Sequence, residues 1–83
     1  MYDIQFTKSA QRQFDNLPLE IQERISAALD RSRIRPQSYF ERLVGDKLYK
    51  LRVGNYRVIA DIFHDKLLIL VIKTGHRKNI YKN

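Results

Sequence analysis

The chain opens with alternating apolar and polar residues and then changes to a helical spacing. Tyr2, Ile4 and Phe6 alternate with polar residues, which predicts a first strand. Thr7 is a suitable N-cap for a helix that runs to about Asn16. The apolar residues of this helix share one face: Ala10, Phe14 and Leu17.

A second helix follows almost at once. Pro18 suits its first turn, where a missing N–H costs no hydrogen bond. Pro36 prevents the helix from continuing, because the residue before a proline is pushed out of the α region. The apolar residues again fall on one face: Ile21, Ile25, Ala28 and Leu29. The two segments predict an αα-hairpin with a tight connection. Arg31, Arg33 and Arg35 are expected to form its solvated basic end, and the alternative is a second phosphate or partner contact.

The second half of the chain is patterned as strands. Leu48–Val53 and Tyr56–Phe63 flank the dipeptide Gly54-Asn55, which is a two-residue hairpin signal. After a short turn at 64–66, the segment Leu67–Lys73 is apolar on both faces, as expected of a strand that is buried on two sides.

Gly75 is expected to end that last strand, and the tail beyond it adds either a short edge strand or one turn. The predicted order of elements is therefore β-α-α-β-β-β. The predicted fold class is α+β, a small antiparallel sheet with the N-terminal αα-hairpin packed on one face.

Composition narrows the possible functions. A chain of 83 residues predicts one domain spanning 1–83. It has no Cys and only two His, so disulfides, thiolate sites and zinc are not expected, and we predict no metal and no cofactor. The longest apolar stretch, Leu67–Ile72, is far too short to span a bilayer, and the first residues do not resemble a signal peptide. We expect a soluble, cytoplasmic protein with no membrane association.

The positive charge lies in the half that is predicted to form strands. Residues 1–41 contain six Lys/Arg and six Asp/Glu, so the formal net charge of +7 belongs entirely to residues 42–83. A basic surface that only aids solubility would not leave the helical half neutral. The pattern therefore predicts an anionic partner.

Strand alternation places several of these cations together. Five basic residues fall on alternate strand positions or at strand ends: Lys50, Arg52, Arg57, Lys73 and Arg77. Arg57 follows the hairpin turn and Arg77 follows Gly75, so the two are expected to converge on phosphates at one end of the sheet. The alternative is that each pairs with Asp61, Asp65 or a loop carbonyl.

Two further side chains are candidates for proton transfer. His76 is the residue of this group that ordinarily exchanges a proton near neutral pH, although it is also a plausible packing residue. Tyr81 suits base stacking or proton donation, and equally well the anchoring of the tail. No P-loop, paired carboxylates or Ser/His/Asp order is present. The reaction that fits this set is attack of an RNA 2′-OH on its adjacent phosphate, since the nucleophile then belongs to the substrate.

Two motifs together resemble a known family. The run Leu48–Ile59 (LYKLRVGNYRVI) and the segment Gly75–Tyr81 (GHRKNIY) are similar to the RelE/ParE toxin superfamily, on the RelE side, and the resemblance covers nearly the whole chain. It implies the RelE-like microbial RNase fold and a toxin of a type II toxin–antitoxin pair. Toxins of the RelE type are metal-independent endoribonucleases that cleave mRNA in the ribosomal A site and leave a 2′,3′-cyclic phosphate.

The resemblance also implies roles and partners. Lys50, Arg57 and Arg77 match positions associated with phosphate binding, transition-state charge and proton transfer, and Tyr81 matches a stacking or catalytic tyrosine. We expect three further cations to contact RNA phosphates: Arg52, Lys73 and Lys78. The implied partners are mRNA on the ribosome, with the 30S A site and its rRNA, and a cognate acidic antitoxin.

This chain departs from the best-studied RelE pattern at three positions. Leu48 and His76 stand where that pattern has lysines, and Tyr81 follows Arg77 sooner than its counterpart does. His76 is expected to take over part of the lost lysine function. Two alternatives stay open, namely a ParE-like inhibitor of DNA gyrase and a non-catalytic nucleic-acid-binding module.

Overall fold

The architecture consists of a mixed sheet with helices on one face. A computed structural model describes the backbone of residues 1–80 and the side chains of residues 1–78. The elements follow in this order: β1 (Asp3–Phe6), α1 (Lys8–Asp15), α2 (Leu19–Ser32), a 3₁₀ turn (Pro36–Ser38), β2 (Glu41–Arg42), β3 (Tyr49–Val53), β4 (Tyr56–Phe63), β5 (Leu68–His76) and α3 (Arg77–Ile80). The predicted order of a strand, two helices and three strands is confirmed. β2 is an addition to it, and α3 is the single turn that was one of the two alternatives for the tail.

The helix boundaries have local causes. The Thr7 hydroxyl accepts a hydrogen bond from the Ala10 amide at 3.1 Å, which is the predicted N-cap of α1. Pro18 lies just outside α2 as its N-cap residue and makes no side-chain capping bond. In the described part of the chain no helix is both long and apolar enough to cross a membrane.

The sheet has the strand order β1-β5-β4-β3-β2. The β2–β3, β3–β4 and β4–β5 pairs are antiparallel, but β1 pairs with β5 in parallel. The prediction of an antiparallel sheet is therefore wrong at β1. Alternation along a strand determines which residues share a face and carries no information about the direction of the neighbouring strand. The direction is set by the αα-hairpin, which returns the chain across one face of the sheet.

The core lies between that face and the helices. Ile25 of α2 and three strand residues, Val58, Ile69 and Val71, are fully buried. Tyr49 and Tyr56 pack against the same cluster from its margin. This layer determines which side of every strand faces away from the helices, and the candidate site lies on that other side.

A bulge and an extended strand shape the end of the sheet. Ile59 pairs with Lys73 whereas Ala60 pairs with Val71, so one extra residue of β5 stands between them. Beyond the bulge, β5 continues through Gly75, which pairs with Arg57, to His76. The prediction that Gly75 ends the strand is wrong, because a glycine inside a ladder keeps its backbone hydrogen bonds even though it weakens the strand.

Candidate nucleic-acid interface

Two cross-strand rows place basic residues on the face away from the helices. Arg52 pairs with Arg57, and Lys50 pairs with Ile59, which pairs in turn with Lys73. The interleaved row of Leu51, Val58 and Thr74 is buried, and the Thr74 hydroxyl lies 3.5 Å from the Ala10 carbonyl of α1. Successive residues of a strand point to opposite faces, so the two basic rows point away from the helices. We call Lys50, Arg52, Arg57 and Lys73 the cationic face.

Arg57 is the buried member of the cationic face. Only 5 % of its surface is exposed. Its Nη1 donates to the carbonyls of Gly54 at 3.4 Å and Tyr56 at 3.2 Å, and its Nε has no partner among the described residues. Arg57 thus adopts the loop-carbonyl pairing that the sequence left open as an alternative. Two long hydrogen bonds to neutral carbonyls compensate a buried guanidinium only in part.

The other cations of the face are more accessible. Arg52 and Lys73 are exposed, and Lys50 is half-buried. Glu41 of β2 is the cross-strand neighbour of Lys50, but the one ion pair within 4 Å among the described residues is Arg33–Asp30, at 3.5 Å. No carboxylate of the described residues therefore forms a close ion pair with the cationic face.

His76 lies at the same end of the sheet but on its other side. Its strand partner is Tyr56, and the two rings meet edge to face with centroids 5.3 Å apart. Because Tyr56 packs against the core, the His76 ring points to the helix side, away from Arg57. The His76 Nδ1 accepts a hydrogen bond from the Lys78 amide at 3.2 Å, which requires that nitrogen to be unprotonated. The structure thus separates His76 from the cationic face.

Arg77 approaches the hairpin that holds Arg57. The Arg77 amide donates to the Asn55 carbonyl at 2.9 Å, which brings the start of α3 to the β3–β4 turn. The predicted convergence of Arg57 and Arg77 at one end of the sheet is confirmed at the level of the backbone. The side chains of Arg77 and Lys78 are exposed. Tyr81 lies outside the described residues.

The fold also brings together arginines that the sequence analysis did not connect. Arg24 and Arg31 of α2 line a cleft with Arg52 and Gly54 of the hairpin. For Arg31 the sequence leaves open both a solvated helix end and a second phosphate or partner contact. The seven-residue spacing of Arg24 and Arg31 is the signal that was available, since it places both on one helix face. Within the described ranges no group of three or more His, Asp or Glu side chains is placed to hold a metal ion.

Solved structures with the same fold come from bacteria and archaea. The toxin in the intact Escherichia coli RelBE toxin–antitoxin complex is 23% identical with a TM-score of 0.78, over 92% of this chain and 96% of that chain. A chain of the Mycobacterium tuberculosis RelBE2 toxin–antitoxin complex is 23% identical with a TM-score of 0.79, over 92% of this chain and 98% of that chain. A chain of the RelB–RelE complex of Methanococcus jannaschii is 24% identical with a TM-score of 0.74, over 94% of this chain and 95% of that chain.

The sequence itself matches one family model. No curated protein sequence matches the chain. The model described as "ParE toxin of type II toxin-antitoxin system, parDE" matches residues 4–81, which is nearly the whole chain. The chain therefore belongs to the ParE toxin family and is a toxin of a type II toxin–antitoxin system in the RelE/ParE superfamily.

Proposed function

We propose that this toxin is a RelE-type endoribonuclease that cleaves mRNA in the ribosomal A site without a metal ion. The observation that supports this most is the cationic face. Three adjacent strands contribute Lys50, Arg52, Arg57 and Lys73 to one surface, and no carboxylate of the described residues lies within 4 Å of their charged nitrogens. Such a surface suits consecutive phosphates of a nucleic acid better than it serves stability.

The proposed reaction is a transesterification. The 2′-oxygen of the substrate forms a bond to the adjacent phosphorus while the bond to the 5′-oxygen breaks, which leaves a 2′,3′-cyclic phosphate and a 5′-hydroxyl. One proton carrier of the protein takes the proton of the 2′-OH and another gives a proton to the 5′-oxygen, so the number of protons on the protein does not change. Arg57 and Arg77 stabilise the added negative charge on the phosphorane, and Lys50 supports them. Arg52, Lys73 and Lys78 hold flanking phosphates.

His76 and Tyr81 are the proposed proton carriers. With Nδ1 engaged by the Lys78 amide, a neutral His76 carries its proton on Nε2 and serves as a donor from that atom. Reaching the substrate from the helix side of the sheet requires the phosphate to lie at the end of β5, between His76 and Arg77. Tyr81 is assigned by resemblance alone.

Substrate binding must also uncover Arg57. Its two bonds to backbone carbonyls are long, at 3.4 and 3.2 Å, and both acceptors are neutral. A phosphate oxygen makes shorter, charge-assisted bonds to a guanidinium. Exchange of the carbonyls for phosphate is therefore favourable once RNA reaches the hairpin.

The test is primer extension on mRNA carried by a programmed ribosome, with purified protein that has been dialysed against EDTA and with no divalent ion other than the magnesium that the ribosome requires. Discrete A-site cuts that disappear in Arg57→Ala and Arg77→Ala and persist in Arg12→Ala support the proposal. Arg12 is an exposed arginine of α1 and controls for loss of charge alone. The proposal is refuted if the mRNA stays uncut although the ribosomes are competent and the protein is correctly folded.

Gyrase inhibition is the second candidate, because the matching family model is that of ParE toxins. Leu48 and His76, which replace lysines of the RelE pattern, also favour it. In that case the protein blocks supercoiling by purified gyrase, induces DNA-damage signalling and leaves mRNA intact. A toxin that neither cuts RNA nor blocks gyrase, but binds RNA in a salt-sensitive manner, is a binding module.

We further propose a cytoplasmic complex with an acidic antitoxin. The structures with the same fold include complexes with RelB-type antitoxins. An acidic chain that folds on binding neutralises the cationic face. Co-expression with the neighbouring open reading frame is expected to abolish growth arrest, and continued arrest contradicts this partner.

A further inference from the structure

A second cluster of cations lies outside the cationic face, in a cleft between α2 and the β3–β4 hairpin. The cleft has a volume of about 300 Å³. Small side chains of α2, Ala27 and Ala28, form one wall, and Val53 and Gly54 form the other. Arginines border it: Arg24, Arg31 and Arg52. None of its lining residues is acidic.

The backbone geometry brings the three arginines to the border of the cleft. Arg24 and Arg31 are seven residues apart, so they lie two turns apart on one side of α2. Arg52 lines the cleft from β3, beyond the short pairing of β2 with Tyr49 and Lys50, while its side chain lies on the cationic face. The Arg24 Nη2 lies 3.1 Å from the position that a Cβ on Gly54 would occupy. The glycine therefore leaves the room in which this guanidinium sits.

The charges of the cleft are not balanced. The one ion pair of the described residues, Arg33–Asp30, lies elsewhere on α2. Like charges brought together without a counter-ion destabilise a fold, so a site of this kind gains stability when an anion enters it. The planar fork of arginine is suited to bidentate contact with phosphate oxygens.

We propose that this cleft binds a backbone phosphate of RNA and serves as an anchoring site apart from the reacting phosphate. Arg52 belongs to the cleft and to the cationic face, so the two form one track around the edge of the sheet. A continuous track suits a polyanion with regularly spaced phosphates rather than a single carboxylate of a protein partner. The proposal rests on RNA being the ligand of this toxin but not on cleavage.

The test compares two double variants of the full chain that lose the same charge. R24Q/R31Q removes the α2 arginines of the cleft. K8Q/R12Q removes two exposed cations, four residues apart on α1, from a groove that also contains Asp15. Binding of a fluorescent RNA duplex is measured by anisotropy between 50 and 200 mM salt, with poly-L-glutamate titrated in parallel, and circular dichroism checks the fold.

The expected result is a loss of roughly tenfold in RNA affinity for R24Q/R31Q at about 100 mM salt. The plot of the logarithm of the binding constant against the logarithm of the salt concentration has a negative slope. Its magnitude is expected to decrease by about 1 to 2, because up to two fewer counterions are released. K8Q/R12Q is expected to change affinity less than about twofold. Equal losses in both variants, or none in either, overturn the proposal. Loss of poly-glutamate binding with RNA binding retained also overturns it, since the cleft then recognises carboxylates.

A second measurement covers the case in which R24Q/R31Q does not fold. In ¹⁵N spectra of the unmodified protein titrated with the duplex, the amides of Ala27 and Arg31 are expected to shift while those of Lys8 and Arg12 stay in place. Unshifted Ala27 and Arg31 amides refute the site. Failure of this proposal can be distinguished from failure of the proposed function. Ribosomal cleavage without RNA binding at the cleft refutes only the anchoring site. RNA binding at the cleft without ribosomal cleavage refutes only the nuclease activity.

Discussion

Arg52 and Arg57 stand directly opposite each other across the β3–β4 hairpin, on the same face of the sheet. Like charges in this position are unfavourable, and no carboxylate among the described residues lies within ion-pair distance of either. Arg57 is in addition 5 % exposed, so its charge is largely removed from water. A pair that lowers the stability of a small domain is expected where the charges serve binding, because function and stability compete at such sites.

The first prediction concerns that pair. Arg52→Gln is expected to raise the free energy of unfolding by about 0.3 kcal/mol at low salt, since it removes the repulsion with Arg57 and Arg52 is well solvated. The gain should vanish at about 1 M salt, where the screening length falls to a few ångströms. Urea unfolding at both salt concentrations measures this, with Lys66→Gln in the β4–β5 turn as the control. A variant less stable than the parent at low salt contradicts the repulsion.

The second prediction separates folding from activity at Arg57. Arg57→Met keeps a long apolar stem and removes the incompletely bonded buried charge. Replacement of a buried charge by an apolar side chain of similar volume is often neutral or stabilising, so the unfolding free energy is expected to hold or rise. Ribosomal cleavage is expected to fall about 100-fold or more, as when one donor to a developing oxyanion is lost.

Chemical denaturation and single-turnover cleavage give the two values for Arg57→Met. Arg12→Met, on the exposed face of α1, is the control and should retain its activity. A stable Arg57→Met protein that cuts at the parental rate shows that Arg57 has no part in the reaction.

The third prediction uses two glycines with positive φ. Gly54 and Gly45 have φ values of 60° and 75°, but a Cβ meets Arg24 only at Gly54 and open space at Gly45. Each Gly→Ala change is expected to lower the free energy of unfolding by about 1 kcal/mol, because alanine is disfavoured in the left-handed backbone conformation. Gly54→Ala alone should also displace Arg24 and weaken RNA binding. Thermal unfolding and RNA titration test this. If Gly45→Ala weakens RNA binding equally, the Arg24 contact is not responsible.

The fourth prediction asks whether His76 transfers a proton or only packs. His76→Phe keeps an aromatic edge against Tyr56 but has no ring nitrogen, so the fold should persist while cleavage falls about 100-fold or more. His64→Phe is a matched control, because His64 also meets a tyrosine edge to face and bonds through Nδ1, here to the Tyr2 hydroxyl at 2.7 Å. It is expected to cleave normally. Full cleavage by His76→Phe assigns His76 to packing.

Features that depend on short-range periodicity were predictable. The N-cap at Thr7, the αα-hairpin, the turn at Gly54 and the shared face of Lys50, Arg52 and Arg57 follow from spacings of two to four residues, and the structure contains all of them. Cross-strand neighbours across a two-residue turn are determined by the turn itself, so even the Arg52–Arg57 pair was within reach of the sequence.

Features that depend on tertiary placement were not predictable. The parallel pairing of β1 with β5 depends on how the helices cross the sheet. His76 lies on the helix side because the bulge in β5 shifts the alternation by one residue, and a single position reverses the face. The burial of Arg57 and the meeting of Arg24 with Gly54 require elements that are far apart in the chain. The periodicity of a sequence describes one helix or strand at a time, so it gives no information about contacts between distant elements.

The parallel pair has a consequence for the synthesis of the toxin. Asp3 of β1 finds its strand partner, Leu68, only near the end of the described chain, and β5 also completes the pairing of β4. A nascent chain that lacks β5 leaves β1 without a neighbour and the core open. Contacts of such long sequence separation form late and slowly. The toxin therefore acquires its fold only after β5 has emerged from the ribosome, and a truncated product that stops before β5 is expected to be harmless.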